Sequence, residues 1–142
     1  MLGRYRVLGQ LLARLATLKD GIKETLTARS PLQRYADADP KLQERWEEEL
    51  DAAIEAEYRR QRAELLLTLH WWLRDLWLGK LGAEAELAAF PDLRSLAETV
   101  GARVSAAEAL ENLHVLEHTQ RLLRTNVQEA LALEVGLLKL RL

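Results

Sequence analysis

Leu8, Leu11, Leu12, Leu15, Leu18, Ile22 and Leu26 recur at steps of three and four, a spacing that gathers them on one side of an α-helix and that a strand, with its period of two, cannot use. The stripe runs out ahead of Ser30 and Pro31, where the helix is expected to end. Asp39 followed by Pro40 is a second start signal, an N-cap residue before a proline where the first helical turn tolerates one. Leu42, Trp46, Leu50, Ile54 and Tyr58 then step by four. With no breaker before Gly79, this predicts a long second helix, roughly 55 Å if unbroken, with allowance for a bend. No alternating apolar run is long enough for a strand, and Leu, Ala, Glu and Arg dominate while β-branched residues are scarce. The expected fold is all-α, a helical bundle of about five helices.

The two halves of the second helix differ. From Lys41 to Arg62 one apolar stripe runs among charges, the pattern of a partly exposed arm; from Leu65 to Trp77 most sides are apolar, so this half is expected inside the bundle. Trp71, Trp72 and Trp77 would then be core residues, provided their indole N–H groups find acceptors. Gly79 to Pro91 reads as a connector with a short helical piece around Ala83 to Ala89. Asp92 is placed to cap a helix from Leu93 to Val100, and Gly101 to end it. Ser105 and Glu108 form a capping box for a helix through Leu110, Leu113, Leu116 and Leu123, and Asn126 with Glu129 repeats the pattern for a last helix. We therefore expect one helical domain over 1–142, with 1–64 a basic-then-acidic hairpin arm and 65–142 a bundle.

The last helix carries the strongest functional hint. Val127, Ala130, Leu131, Leu133, Val135, Leu137, Leu138, Leu140 and Leu142 make it apolar nearly all round, with Glu134, Lys139 and Arg141 as interruptions. Such a helix is either central to its own bundle or covered on a second face by a partner chain.

Charge sets limits on other functions. The net charge of -2 gives no general drive toward nucleic acid. It is unevenly spread, however. Up to Ala36, Arg4, Arg6, Arg14, Lys19, Lys23, Arg29 and Arg34 stand against Asp20 and Glu24, whereas from Asp37 to Glu64 ten acids face five bases. Neighbouring helices with mutually attractive faces explain this, and a DNA-facing basic arm is the alternative. No run of apolar residues approaches the roughly 20 that span a bilayer, and no signal peptide opens the chain, so a cytoplasmic location and no membrane partner are expected. Cysteine is absent.

Chemistry is hard to find. His114-Val-Leu-Glu117-His118 satisfies H-x-x-E-H, and two histidines four apart can share a metal ion, but a third ligand and a cleft are missing from the pattern. Neither phosphate-loop glycine motif occurs, and Glu47, Glu48 and Glu49 sit where a solvated face explains them. No enzyme, cofactor, metal or small-molecule site is expected.

Three segments resemble the C-terminal collar domain of the delta-prime subunits of bacterial DNA polymerase III clamp loaders. Leu65 to Trp77 is similar to a collar helix bearing an Arg-Asp-Leu-Leu signature, here Arg74, Asp75 and Leu76, with Trp77 in place of the aliphatic residue. Leu93 to Val100 followed by Ser105 resembles the short helix and capped restart. Leu122 to Leu142 looks like the closing pattern Leu-x-x-Asn-x-Asn-x-x-Leu-x-Leu-Glu, with Asn126, Leu131, Leu133 and Glu134 in place and Gln128 replacing the second asparagine. The resemblance covers about Leu65 to Leu142. It implies an oligomerisation domain that joins the gamma/tau and delta collars in a pentameric ring during DNA replication, the assembled loader placing the sliding clamp on primed DNA and touching DNA only through that assembly. It also implies ATPase modules ahead of Met1 in a longer parent. Trp72, Arg74, Asp75, Asn126, Leu131, Glu134 and Leu138 are the structural or interface residues this reading singles out. A helical nucleic-acid-binding module or an unrelated adaptor, using the basic first helix, is the alternative.

Overall fold

The computed structural model describes the backbone from Leu2 to Leu142 and the side chains from Tyr5 onward. Met1, and the side chain of Arg4 in the basic end, lie outside the described residues. Among those residues there are five α-helices and no strand: α1 Leu2–Arg29, α2 Pro40–Lys80, α3 Arg94–Gly101, α4 Ala106–Leu122 and α5 Glu129–Lys139. The protein is an all-α helical bundle. None of the described helices is long and apolar enough to cross a membrane. The chain divides into two compact units, one of Gly9–Ala63, the other of the chain up to Leu8 with Glu64–Leu142.

The first unit is a helical hairpin. α1 gives way after Arg29 to a 3-10 turn, Pro31–Gln33, which Ser30 caps by accepting the Leu32 amide on its hydroxyl. Asp39 caps α2, its carboxylate accepting the Lys41 amide at 2.9 Å. Between them Gln43 reaches back to the Ala36 and Ala38 carbonyls, and Tyr35 packs at a tilt on Trp46. Ile22, Ile54 and Tyr58 form the core of the pair, flanked by Leu18, Leu26 and Leu50. The opposite charges of the two helices meet at Lys19, whose ammonium lies 2.5 Å from Glu55 and above the Tyr58 ring. The Lys19 hydrogen bond, ahead of the other nearby cations, lowers the Glu55 carboxyl below its ordinary range.

In the second unit α2 ends later than Gly79. Lys80 is its last residue, and Gly82, at φ 71°, takes the left-handed position. The Gly82 amide bonds to the Gly79 carbonyl and the Ala83 amide to Leu78, the paired closure of a Schellman motif. Gly79 was the wrong glycine because an α-helix needs φ > 0 only beyond its C-cap. The connector holds two short 3-10 turns, Ala85–Leu87 and Pro91–Leu93. The second of these displaces Asp92 from its expected capping role: α3 starts after Leu93, with no side-chain cap. Gly101 is the buried last residue of α3 and has no left-handed backbone, so it does not terminate the helix by conformation. Ser105 and Glu108 do form the capping box of α4, hydroxyl to amide at 3.2 Å and carboxylate to amide at 2.9 Å. Those bonds, with one from Arg141, hold the Glu108 carboxyl below its ordinary range.

Burial in this unit is more one-sided than the apolar run Leu65 to Trp77 suggests. Leu66, Leu73 and Leu76 are buried, while Leu67 and Trp71 are exposed. Trp72 and Trp77 pack against the cluster of Leu76, Val104 and Ala109. The Trp72 indole N–H is buried without an acceptor, so the condition set for it as a core residue is unmet. Trp71 instead lies on the surface beneath the Arg74 guanidinium, 5.3 Å from the ring centre, where a cation over an indole is favourable in water.

Candidate functional site

The α4–α5 pair is built by one close approach and one tie. Ala132, Leu133 and Gly136 are the buried residues of α5, and Leu140 is buried just after it. Gly136 lies so near Thr119 of α4 that an added Cβ would meet the threonine's Cγ2 at 2.9 Å and its Cβ at 3.0 Å. Thr119 is itself buried, its hydroxyl donating to the Val115 carbonyl at 2.9 Å. The tie is Asn112, 1% exposed, whose side-chain amide donates to the Arg141 carbonyl at 2.7 Å and accepts the Arg141 amide at 2.8 Å. Its two-way match to the backbone N–H and C=O of one residue fixes the segment after α5 on α4, and the Arg141 guanidinium adds a 3.0 Å bond to Glu108. Sequence reading missed Asn112, although an Asn between Leu110 and Leu113 on a stripe of core leucines was a visible signal. Replacing Asn112 by Ala leaves both Arg141 backbone groups without this partner. We expect a loss of about 2 kcal/mol in urea unfolding and earlier proteolysis after Leu138, and unchanged cleavage would refute the tie.

With one side so packed, α5 presents its other side outward. Leu131 and Val135, four apart, are 52% and 42% exposed, and Leu138 and Glu134 are half-buried beside them. Val127 before the helix and Leu142 after it are exposed as well. The helix is therefore covered on one face only, rather than enclosed as a central helix.

Asn126 does not cap α5. The chain continues in turns after α4, Thr125 bonding back to the Leu122 carbonyl, so the helix begins only at Glu129, with Gln128 as an N-cap residue that makes no side-chain bond. Asn126 is exposed. Arg74 and Asp75 act together elsewhere. Asp75, 9% exposed, accepts the Ala89 and Phe90 amides at 2.9 and 2.8 Å, while Arg74 donates to the Leu87 carbonyl at 3.0 Å. They clamp the connector to α2 beside a cavity of about 400 Å³ lined in part by Trp72, Phe90 and Ala97.

His114, Glu117 and His118 are exposed on α4, and His114 faces Glu111 at 3.8 Å. Among the described residues no three His, Asp or Glu side chains converge to hold a metal ion. Comparison with protein-family models, curated proteins and solved structures gives no match.

Proposed function

We propose that this chain is an assembly domain of the clamp-loader collar kind, whose role is to join helical subunits and not to catalyse. The observation that carries the reading is the outer face of α5, where Leu131 and Val135 stand exposed on a helix whose other side is already packed. An apolar helix face left open in this way is what a subunit interface covers. The motif resemblance of Leu65 to Leu142 supplies the partners, the gamma/tau and delta collars, and the setting, replication in the cytoplasm. The Arg74–Asp75 clamp gives the resembling signature a physical role in holding the connector, which supports the collar reading over that of an unrelated adaptor.

Native mass spectrometry of the chain mixed with the cognate gamma/tau and delta collar regions tests the proposal. A defined hetero-oligomer is expected, and Leu131→Glu with Val135→Glu should weaken it at least tenfold, about 1.4 kcal/mol, at unchanged helicity, since both side chains already meet water. Assembly unaffected by the double substitution, or a clean monomer beside collars that assemble without it, sinks the reading.

A further inference from the structure

The helical hairpin of Gly9–Ala63 carries a surface that the collar reading does not use. Between α1 and α2 lies an open groove of about 960 Å³. Its floor is Leu18, Ile22 and Leu26, and Ala53 and Ala56 form its far wall. Thr17 and Thr25 also line it, yet each donates its hydroxyl to a carbonyl of its own helix, Ala13 at 3.0 Å and Gly21 at 2.9 Å. With those donors satisfied, the two threonines add no unmet polar demand to the groove. From Arg14 to Arg29 it runs about 22 Å, the length of about four helical turns.

Its rim is basic. Arg14 and Arg29 stand at the α1 ends of the groove and Arg60 on the α2 side. The one acid lining it, Glu57, is already held by Arg60 at 2.6 Å and by Gln61 at 2.6 Å. The Arg60 hydrogen bond, followed by that of Gln61, pulls its carboxyl down to about 2, so it stays ionised and engaged with its own helix. Arg14 and Arg29 thus offer positive charge to a visitor without an acid of the groove opposite them. Gly21 sits midway along, exposed, where an added Cβ would meet nothing within 4 Å. No packing within the chain demands glycine there, whereas its missing side chain leaves room for another backbone.

We propose that this groove docks an amphipathic α-helix of another protein, with an apolar seam against Leu18, Ile22 and Leu26 and acidic residues against Arg14 and Arg29. A second copy of this chain fits less well. Its acidic stretch exposes Glu44, Glu47, Glu48 and Asp51 on α2, but Trp46 and Leu50 among them already pack within their own hairpin, and Leu42, the exposed large apolar side chain beside them, is too little to fill a floor about four turns long.

The test uses the full chain and two labelled synthetic helices of about 15 residues with the same Leu/Ala seam, one flanked by Glu and the other by Lys. Fluorescence anisotropy should show the Glu peptide binding at least tenfold more tightly, a preference that shrinks as salt screens the rim. Gly21→Gln should weaken that binding at least tenfold while leaving the thermal melt unchanged or raised, because space is open around the position and glycine is a poor helix former. Arg14→Glu with Arg29→Glu should invert the preference. Failure of the Glu peptide to bind, equal binding of the Lys peptide, or indifference to Gly21→Gln overturns the proposal. So does a wild-type dimer in sedimentation that Gly21→Gln dissolves, which would give the groove to a second copy.

Discussion

Gly136→Val should lower the stability of the chain by about 3 kcal/mol, at the upper end of what overpacking a core does, and depress the melting temperature by roughly 10 °C. The position lies where α5 comes closest to α4. A Cβ alone would stand 2.9 Å from Thr119 Cγ2, and valine adds two methyl groups to it. Thr119 cannot swing aside, since it is buried and bonded to the Val115 carbonyl, so α5 must lift away. The small helix-propensity advantage of valine over glycine, a few tenths of a kcal/mol, does not offset this. Thr119→Ala removes the hydroxyl and Cγ2, the two nearest of the atoms in the way, and leaves only the Cβ at 3.0 Å, so Gly136→Val combined with Thr119→Ala should recover about 1 kcal/mol or more relative to the sum of the single changes. Strict additivity, or a melting temperature that Gly136→Val leaves alone, would show that the helices do not touch here as described.

Gly136 also marks how far the sequence could be read. Spacing located the helices because burial in α1 and α2 follows the leucine stripes: Leu15, Ile22, Ile54 and Tyr58 are buried at positions the steps of three and four pick out. Caps were legible where a side chain bonds its own backbone nearby, as at Asp39 and Ser105. They misled where a competing local structure intervened. A 3-10 turn takes over Pro91–Leu93 and strands Asp92 outside the helix, and the turns after Leu122 do the same to Asn126. What pattern could not show were the pairings between distant residues. Gly136 with Thr119, Asn112 with Arg141 and Asp75 with Ala89 and Phe90 depend on which helices become neighbours, and no local period encodes that. The apolar surplus of the last helix was visible, yet only the packing of Ala132, Leu133 and Gly136 separates its inner face from the outer one of Leu131 and Val135.

Asp75→Ala should cost about 3 kcal/mol, because two backbone N–H groups lose a charged acceptor at once and hydrogen bonds to charged groups are the stronger kind. The Ala89 and Phe90 amides have this carboxylate as their shared partner, at 2.9 and 2.8 Å, one on each oxygen. Asn in its place separates charge from geometry. A side-chain amide keeps one acceptor oxygen and turns the other into a donor, so it can serve one N–H and must oppose the second. Asp75→Asn should therefore retain part of the stability, falling between wild type and alanine. Arg74→Met, which removes the 3.0 Å bond to the Leu87 carbonyl, the 3.4 Å contact with the Asp75 carboxylate and the cover over Trp71 but leaves both amide bonds of Asp75 in place, should have the smallest effect of the three. The local readout is amide hydrogen exchange at Ala89 and Phe90, expected to accelerate in Asp75→Ala well before the helices unfold. If exchange at those two amides is unchanged while global stability falls, the carboxylate acts on the core and not on the connector, and the clamp is wrong.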